Sequence, residues 1–342
     1  ESISVLKDAA SAALYGARGA AGVIIITTKK GKTQDAQINV DMKWGASTRG
    51  VPDYDVITDP GQFYETYYGQ LYNYYFYGQG NTAEAANQMA NKTMLSQLQY
   101  NVFTTPQIGK DEDGNPIFEN LIGMNGKLNP NATLGRKYTG ANGETYYMTT
   151  DDWNDEAYRT GFRQEYTVSA SAGTSRSSFY ISGNYLDQDG IIKPSSYKRF
   201  STRLKADYQA KSWLKLGANM SYIRAKTEST ANLATSGDNM LGSTNVMYFT
   251  SNIAPIYPVF VRKVDANGNV YIDVDENGFQ HYDYGRSAGD YNGSTRPFLA
   301  SGNPIGSNNL NVVQSIRHQF VGTYTVDVDI YKGLKFNSSN IA

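Results

Sequence analysis

The side chains best equipped for chemistry in this 342-residue chain are few and scattered. Its two histidines, His281 and His318, lie far apart, and neither sits in a His-Glu-x-x-His helix or a triad-like context. Cysteine is absent, which removes disulfides, thiolate catalysis and zinc–thiolate sites. Asp273, Asp275, Asn277 and Gly278 match the front of a calcium loop. The ninth position of that loop is His281 and the twelfth is Tyr284 where a bidentate glutamate is needed, so a β-turn is the expected structure. Asp111-Glu-Asp-Gly-Asn115 reads the same way. Gly16, Gly19 and Gly22 are spaced GxxGxxG, not as a dinucleotide fingerprint, and no acidic residue follows at the required distance. With no acid–base pair, nucleophile or metal constellation, neither an enzyme nor a cofactor is expected. A different kind of group stands out: Tyr64, Tyr67, Tyr68, Tyr72, Tyr74, Tyr75 and Tyr77. Their rings could stack on sugars or peptides, or serve as packing for a helix.

The elements that hold these residues read as strands. Gln37 to Ser47 alternates, with Ile38, Val40, Met42 and Trp44 on one face and Asn39, Asp41 and Lys43 on the other. The same period-2 pattern recurs from Arg163 to Gly173, around Phe179 to Tyr185, from Phe200 to Tyr208, from Leu214 to Tyr222, from Arg317 to Asp329, and again from Leu334. These make about seven strands of transmembrane-strand length. Turns after the second, fourth and sixth are short. Connections after the first, third and fifth are longer, two of them very long (about 48–162 and 227–313). Short turns alternating with long loops is the pattern of an outer-membrane barrel, and loops of this length are uncommon in compact soluble domains. In the first loop, Asp59 and Pro60 begin a helix that carries Phe63, Tyr64, Tyr67, Tyr68 and Leu71, and Ala83 to Leu98 forms a second.

Composition agrees. Charged residues are 18%, with 33 glycines and 28 tyrosines, as suits wet loops and interfacial aromatic belts. A net charge of −1 offers nothing to nucleic acid. No apolar run approaches a membrane helix, so any spanning segment is a strand. No leader is recognisable at the start and a strand pattern is just beginning at the end, so the chain reads as an internal piece of a longer protein.

The first thirty residues are a strand, a short helical turn, a glycine-rich bend and the wholly apolar strand Val23–Ile26, whose lack of alternation predicts burial on both faces. The segment from Ile3-Ser-Val-Leu6 through Tyr15-Gly16 to Gly22-Val-Ile-Ile-Ile26 and Lys29 resembles the end of the plug domain of TonB-dependent outer-membrane transporters. Asp8-Ala9 after Lys7, and Arg18-Gly19-Ala20, are similar to the SusC/RagA branch. So are Asp59-Pro60 through Tyr68, Asn129-Pro-Asn-Ala132, Ser177 through Asp207, and Trp213 through Tyr222. The resemblance covers nearly the whole chain, most weakly in residues 100–150 and 228–310.

It implies a mainly β fold: the C-terminal piece of a plug (residues 1–33), then the N-terminal part of a transmembrane barrel (residues 34–342) with helix-containing extracellular loops. The complete protein would be a plugged barrel of about 22 strands. The implied function is TonB-dependent import of glycans across the cell outer membrane, with a SusD-like surface lipoprotein closing over the mouth. The implied partners are that lipoprotein, TonB (contacted outside this stretch), an oligosaccharide or peptide ligand, and outer-membrane lipid. A peptide importer, a siderophore or cobalamin receptor, and a soluble all-β glycan-binding protein are the alternatives. A band of uncharged, outward-facing strand positions separates the last from a membrane barrel. Within the barrel, Arg18 of the plug bend is a candidate latch to a wall carboxylate such as Glu165, Asp41 or Asp207.

Overall fold

A computed structural model describes residues 2–27, 34–50, 55–140, 142–230, 245–285, 296–299 and 302–341. At the start, β1 (Ser2–Leu6) and β2 (Val23–Thr27) form an antiparallel hairpin, with Leu6 opposite Val23. One helical turn, Ala9–Ala12, and a 3₁₀ stretch, Ala13–Gly19, join them. The Asp8 carboxylate caps this turn by accepting from the Ser11 amide at 2.9 Å. Gly16 has φ +64° at the bend, where a side chain would be strained. The expected burial of both faces of Val23–Ile26 is not met in this stretch of chain. Ile24 and Ile26 are 66% and 65% exposed, because among the described residues the hairpin pairs only with itself.

Seven long strands make one antiparallel sheet: β3 (Gln34–Ser47), β4 (Gly161–Gly173), β5 (Ser177–Asp189), β6 (Ser196–Lys211), β7 (Leu214–Thr230), β8 (Val312–Tyr331) and β9 (Leu334–Ile341). Neighbours in sequence are neighbours in space throughout, a meander with β3 and β9 as outer strands that do not meet. The hydrophobic pattern fixes the register, since a one-residue slip would turn every apolar side chain to the other face. One row runs Ile38, Ala170, Ile181, Leu204, Met220, Gly322 across six strands. The tight turns are chemically specified. Thr174 Oγ1 accepts from the amides of Arg176 and Ser177 between β4 and β5, and Gly333 takes φ +90° between β8 and β9. β7 and β8 run further than alternation alone predicted, pairing as far as Thr230 with Val312, so the last long connection is shorter than 227–313 at both ends.

The long connections fold into a unit of their own. Helix α1 (Pro60–Asn73) starts as read, with the Asp59 carboxylate accepting from the Gln62 amide at 2.6 Å and Pro60 in the first turn. It widens into a π-type turn over Tyr74–Gly78. Helix α2 (Ala83–Leu98) is capped by Thr82 and ends on Gln99 in the left-handed region, φ 64°. Short helices α3 (Trp153–Ala157), α4 (Val246–Asn252) and α5 (Pro304–Leu310) pack around Phe249, Val259 and Ile305. A small antiparallel sheet, which alternation had not revealed, joins Arg136–Thr139 and Thr145–Met148 of the first loop to Arg262–Val264 and Val270–Ile272 of the last.

A candidate ligand surface on the long loops

The tyrosine run divides by depth. Tyr64 and Tyr68 are fully buried in the loop core with Met94, Leu98, Tyr100 and Val102. Their hydroxyls are already engaged: Tyr64 donates to the Tyr100 carbonyl at 2.7 Å, and Tyr68 accepts from Asn87 Nδ2 at 2.8 Å. Burial raises both phenol pKa values. Tyr67 and Tyr75 are half-buried and reach α2 through Gln97 and Thr93, each at 2.9 Å. Tyr72 stacks between Tyr68 and Phe76 at one-turn spacing, with centroids 5.7 and 5.5 Å away. Tyr74 and Tyr77, in the π-type turn, are 56% and 76% exposed and are the members whose rings are open to a ligand. The cluster is thus largely core on one side and an aromatic tip on the other.

The acidic turns use their carboxylates internally. Asp275 Oδ1 accepts from the amides of Asn277 and Phe279, each at 2.8 Å. Asp111 and Asp265 close equivalent turns on Asn115 and Asn269. Asp273 instead belongs to a network that sequence reading missed. Its carboxylate meets His281 Nδ1 at 2.7 Å and Lys263 Nζ at 3.2 Å, while Lys263 also reaches Glu144 at 2.9 Å. Burial opposes the Lys263 charge, but the two carboxylates outweigh it and push the pKa up to about 12. Similarly, Asp151 is held by the Val259 amide at 2.8 Å and by Arg262. The Lys263–Glu144, Asp151–Val259 and Asp151–Arg262 contacts each join residues more than a hundred positions apart, so no local signal reveals them.

Of the proposed latch, only the wall carboxylate has a described side chain. Glu165 is occupied on its own sheet by Arg163 at 2.6 Å and Asn184 at 3.0 Å, with Arg199 at 3.8 Å. The Arg18 side chain lies outside the described residues.

Strands β4 and β5 of the long sheet have an inverted exposure pattern. On β4 the apolar Val168 is 50% exposed while its neighbour Ser169 is only 8% exposed. On β5, Phe179 and Ile181 are exposed while Ser182 and Asn184 are half-buried. Cross-strand bonds tie up the polar face, among them Asn184 to Thr167 at 2.9 Å and Arg203 to Asn219 at 3.1 Å. The apolar face is zoned. Trp44, Tyr166, Tyr185, Phe200, Tyr222 and Phe320 lie toward the long loops, and Phe179, Tyr208, Tyr324 and Phe336 toward the short turns. Val168, Ile181, Leu204 and Met220 lie between them. Trp44 Nε1 donates to the Tyr166 hydroxyl at 3.0 Å within the upper belt. No helix among the described residues is long and apolar enough to cross a membrane.

The sheet and its loops place the chain in a mainly β class, its long sheet having one apolar and one polar face. Known proteins agree. The chain is 25% identical over 236 residues to TonB-dependent receptor P3 of Formosa agariphila, covering 69% of this chain and 16% of that receptor. It is 26% identical over 228 residues to TonB-dependent receptor SusC of Bacteroides thetaiotaomicron, covering 66% and 16%. Among solved structures it is similar to the RagAB peptide importer in the "open-open" state, with TM-score 0.56 and 23% identity over 99% of this chain and 31% of that one. No family model matches. The chain is SusC/RagA-like, a sequence related to TonB-dependent receptors, and it spans about a sixth of the length of these curated relatives. They are named as receptors, not as enzymes.

Proposed function

We propose that the protein imports oligosaccharides across the outer membrane in a TonB-dependent manner, working with a SusD-like surface lipoprotein. In this reading residues 1–33 close the plug and residues 34–342 supply the first strands and extracellular loops of the barrel. One observation carries it: the apolar face of the seven-stranded sheet is exposed and belted by aromatics at both ends, and on strands β4 and β5 the polar positions are the more covered. A soluble sandwich needs the reverse, because its apolar face must be its core. Lipid on one side and a wet lumen on the other account for both faces. The exposed β1–β2 hairpin fits the same reading, since a plug strand finds its cover inside a complete barrel. The likeness to SusC-type receptors supports the partner and the energy source.

Peptide import is the second reading, favoured by the likeness to RagAB. Cells lacking the protein, supplied in parallel with oligosaccharides and with peptides, decide between them. Loss of oligosaccharide uptake alone supports the first reading, loss of peptide uptake alone the second, and unchanged uptake of both sinks import by this protein.

A further inference from the structure

A cleft of about 990 Å³ opens in the first loop, between helix α2, the Pro116–Phe118 strand and the Arg136–Thr139 strand. It lies apart from the exposed tip formed by Tyr74 and Tyr77, neither of which lines it. Its charge is one-sided. Lys92, Arg136 and Lys137 line it against a single carboxylate, Glu119. Glu119 is itself occupied, accepting from Asn129 Nδ2 at 2.7 Å. The three cations form no ion pair or hydrogen bond with any described residue, whereas Lys127, Arg262 and Lys263 elsewhere in the loops each meet a carboxylate. Two rings complete the wall. Phe118 is 50% exposed, costly for a ring that nothing covers, and Tyr138 is packed against the loop core on its other side.

Flat apolar rings suit the C–H faces of sugars, while unpaired guanidinium and ammonium groups suit carboxylate or sulfate oxygens. A concave site holding both, with room for a few sugar units, is equipped for an acidic oligosaccharide. Resting on the import function proposed above, we infer that this cleft binds anionic oligosaccharides, with Lys92, Arg136 and Lys137 on the acidic groups and Phe118 and Tyr138 against the sugar rings. Neutral glycans would leave three cations without acceptors and bind more weakly.

The test uses the full-length protein in detergent, titrated by calorimetry with tetragalacturonate, a sulfated galactan tetrasaccharide, neutral maltotetraose and tetraglutamate. At least one acidic sugar is expected to bind tenfold or more tighter than maltotetraose and to weaken as salt rises. The two acidic sugars distinguish carboxylate from sulfate recognition. The exposed pair Lys92→Gln and Lys137→Gln, which disturbs no contact in the fold, is expected to reduce that affinity tenfold or more, and Arg136→Ala to do the same while Arg136→Lys retains part of it. Equal binding of neutral and acidic sugars, wild-type affinity in the Gln pair, or tetraglutamate as the tightest ligand would each overturn the inference. Uptake separates the two levels: oligosaccharide import that ignores these substitutions defeats the cleft alone, whereas no oligosaccharide import by the wild type defeats both.

Discussion

The Tyr100 hydroxyl, at the end of the first loop's helix pair, donates to both carboxylate oxygens of Asp283 in the last loop, at 3.1 and 2.9 Å. Both residues are buried. Removing the hydroxyl takes one donor from a buried carboxylate that also accepts from the Gly285 amide at 2.6 Å, which costs about 1–3 kcal/mol. Tyr100→Phe is therefore expected to loosen the junction between the loops while leaving the sheet intact. Hydrogen exchange checks this: faster exchange over residues 245–285 with unchanged protection of β4–β7 is the expected result, and unchanged exchange in both regions counts against the bond's importance.

Leu204 sits midway along β6 on the apolar face, in the row between Ile181 and Met220. With lipid on that face, Leu204→Arg costs about 2–4 kcal/mol near the midplane. Arg203→Leu, one residue earlier on the polar face, loses the Asn219 hydrogen bonds but puts no charge into lipid. Heat-modifiable mobility of the assembled barrel is expected to fail for the first and survive for the second. Equal tolerance at both positions would rule out a membrane-facing sheet.

The tyrosine run makes opposite predictions along its length. Tyr68→Ala removes a buried ring and one of the two acceptors of Asn87 Nδ2, costing about 3–5 kcal/mol and lowering surface assembly. Tyr74→Ala with Tyr77→Ala alters an exposed tip and is expected to assemble normally. Uptake or lipoprotein association per assembled molecule then reports whether the tip makes a contact. Wild-type values for both remove it from the ligand and partner surfaces.

Acid should open the loop unit at one identifiable place. Burial raises the pKa of Glu65, but Lys127 Nζ at 2.8 Å and the Leu128 amide at 2.9 Å more than compensate, so its folded value lies below the ordinary 4.5. A lowered carboxylate pKa stabilises above the unfolded value, and the contribution disappears as pH falls through the folded one. Protease nicking near residues 123–128 is expected to rise as pH drops below about 4.5 and to become insensitive to pH in Glu65→Gln. Identical acid profiles for the two proteins would exclude Glu65 as the switch.

Much of this architecture was legible because its determinants are local. Alternation at Ile38–Trp44 or Tyr166–Ala172 specifies a strand and its two faces, and Asp59-Pro60 and Thr82 specify helix starts within a few residues. The loop core was not legible. Tyr64 and Tyr77 have the same composition-level signal, and only the packing of α1 on α2 buries one and leaves the other exposed. The Arg136–Thr139 strand is too short to alternate visibly, and its four-stranded sheet exists because Lys263 pairs with Tyr146, a residue of the other long loop. The cations of the first-loop cleft, Lys92 and Arg136, are brought together in the same way, by tertiary packing.

The contacts that close the loop unit span long stretches of chain. The Tyr257 hydroxyl bonds the Leu98 carbonyl across 159 residues, and Tyr100 meets Asp283 across 183. Strands β4 to β7 lie between the joined segments. Loop-closure entropy disfavours such contacts until the intervening chain is already ordered. The outer unit therefore completes late, after four neighbouring strands have paired. Its compactness becomes a record of completed strand pairing: a stalled intermediate carries Met94, Phe249 and Val259 uncovered, open to proteases and quality-control factors that recognise bare apolar chain, whereas the finished unit buries all three.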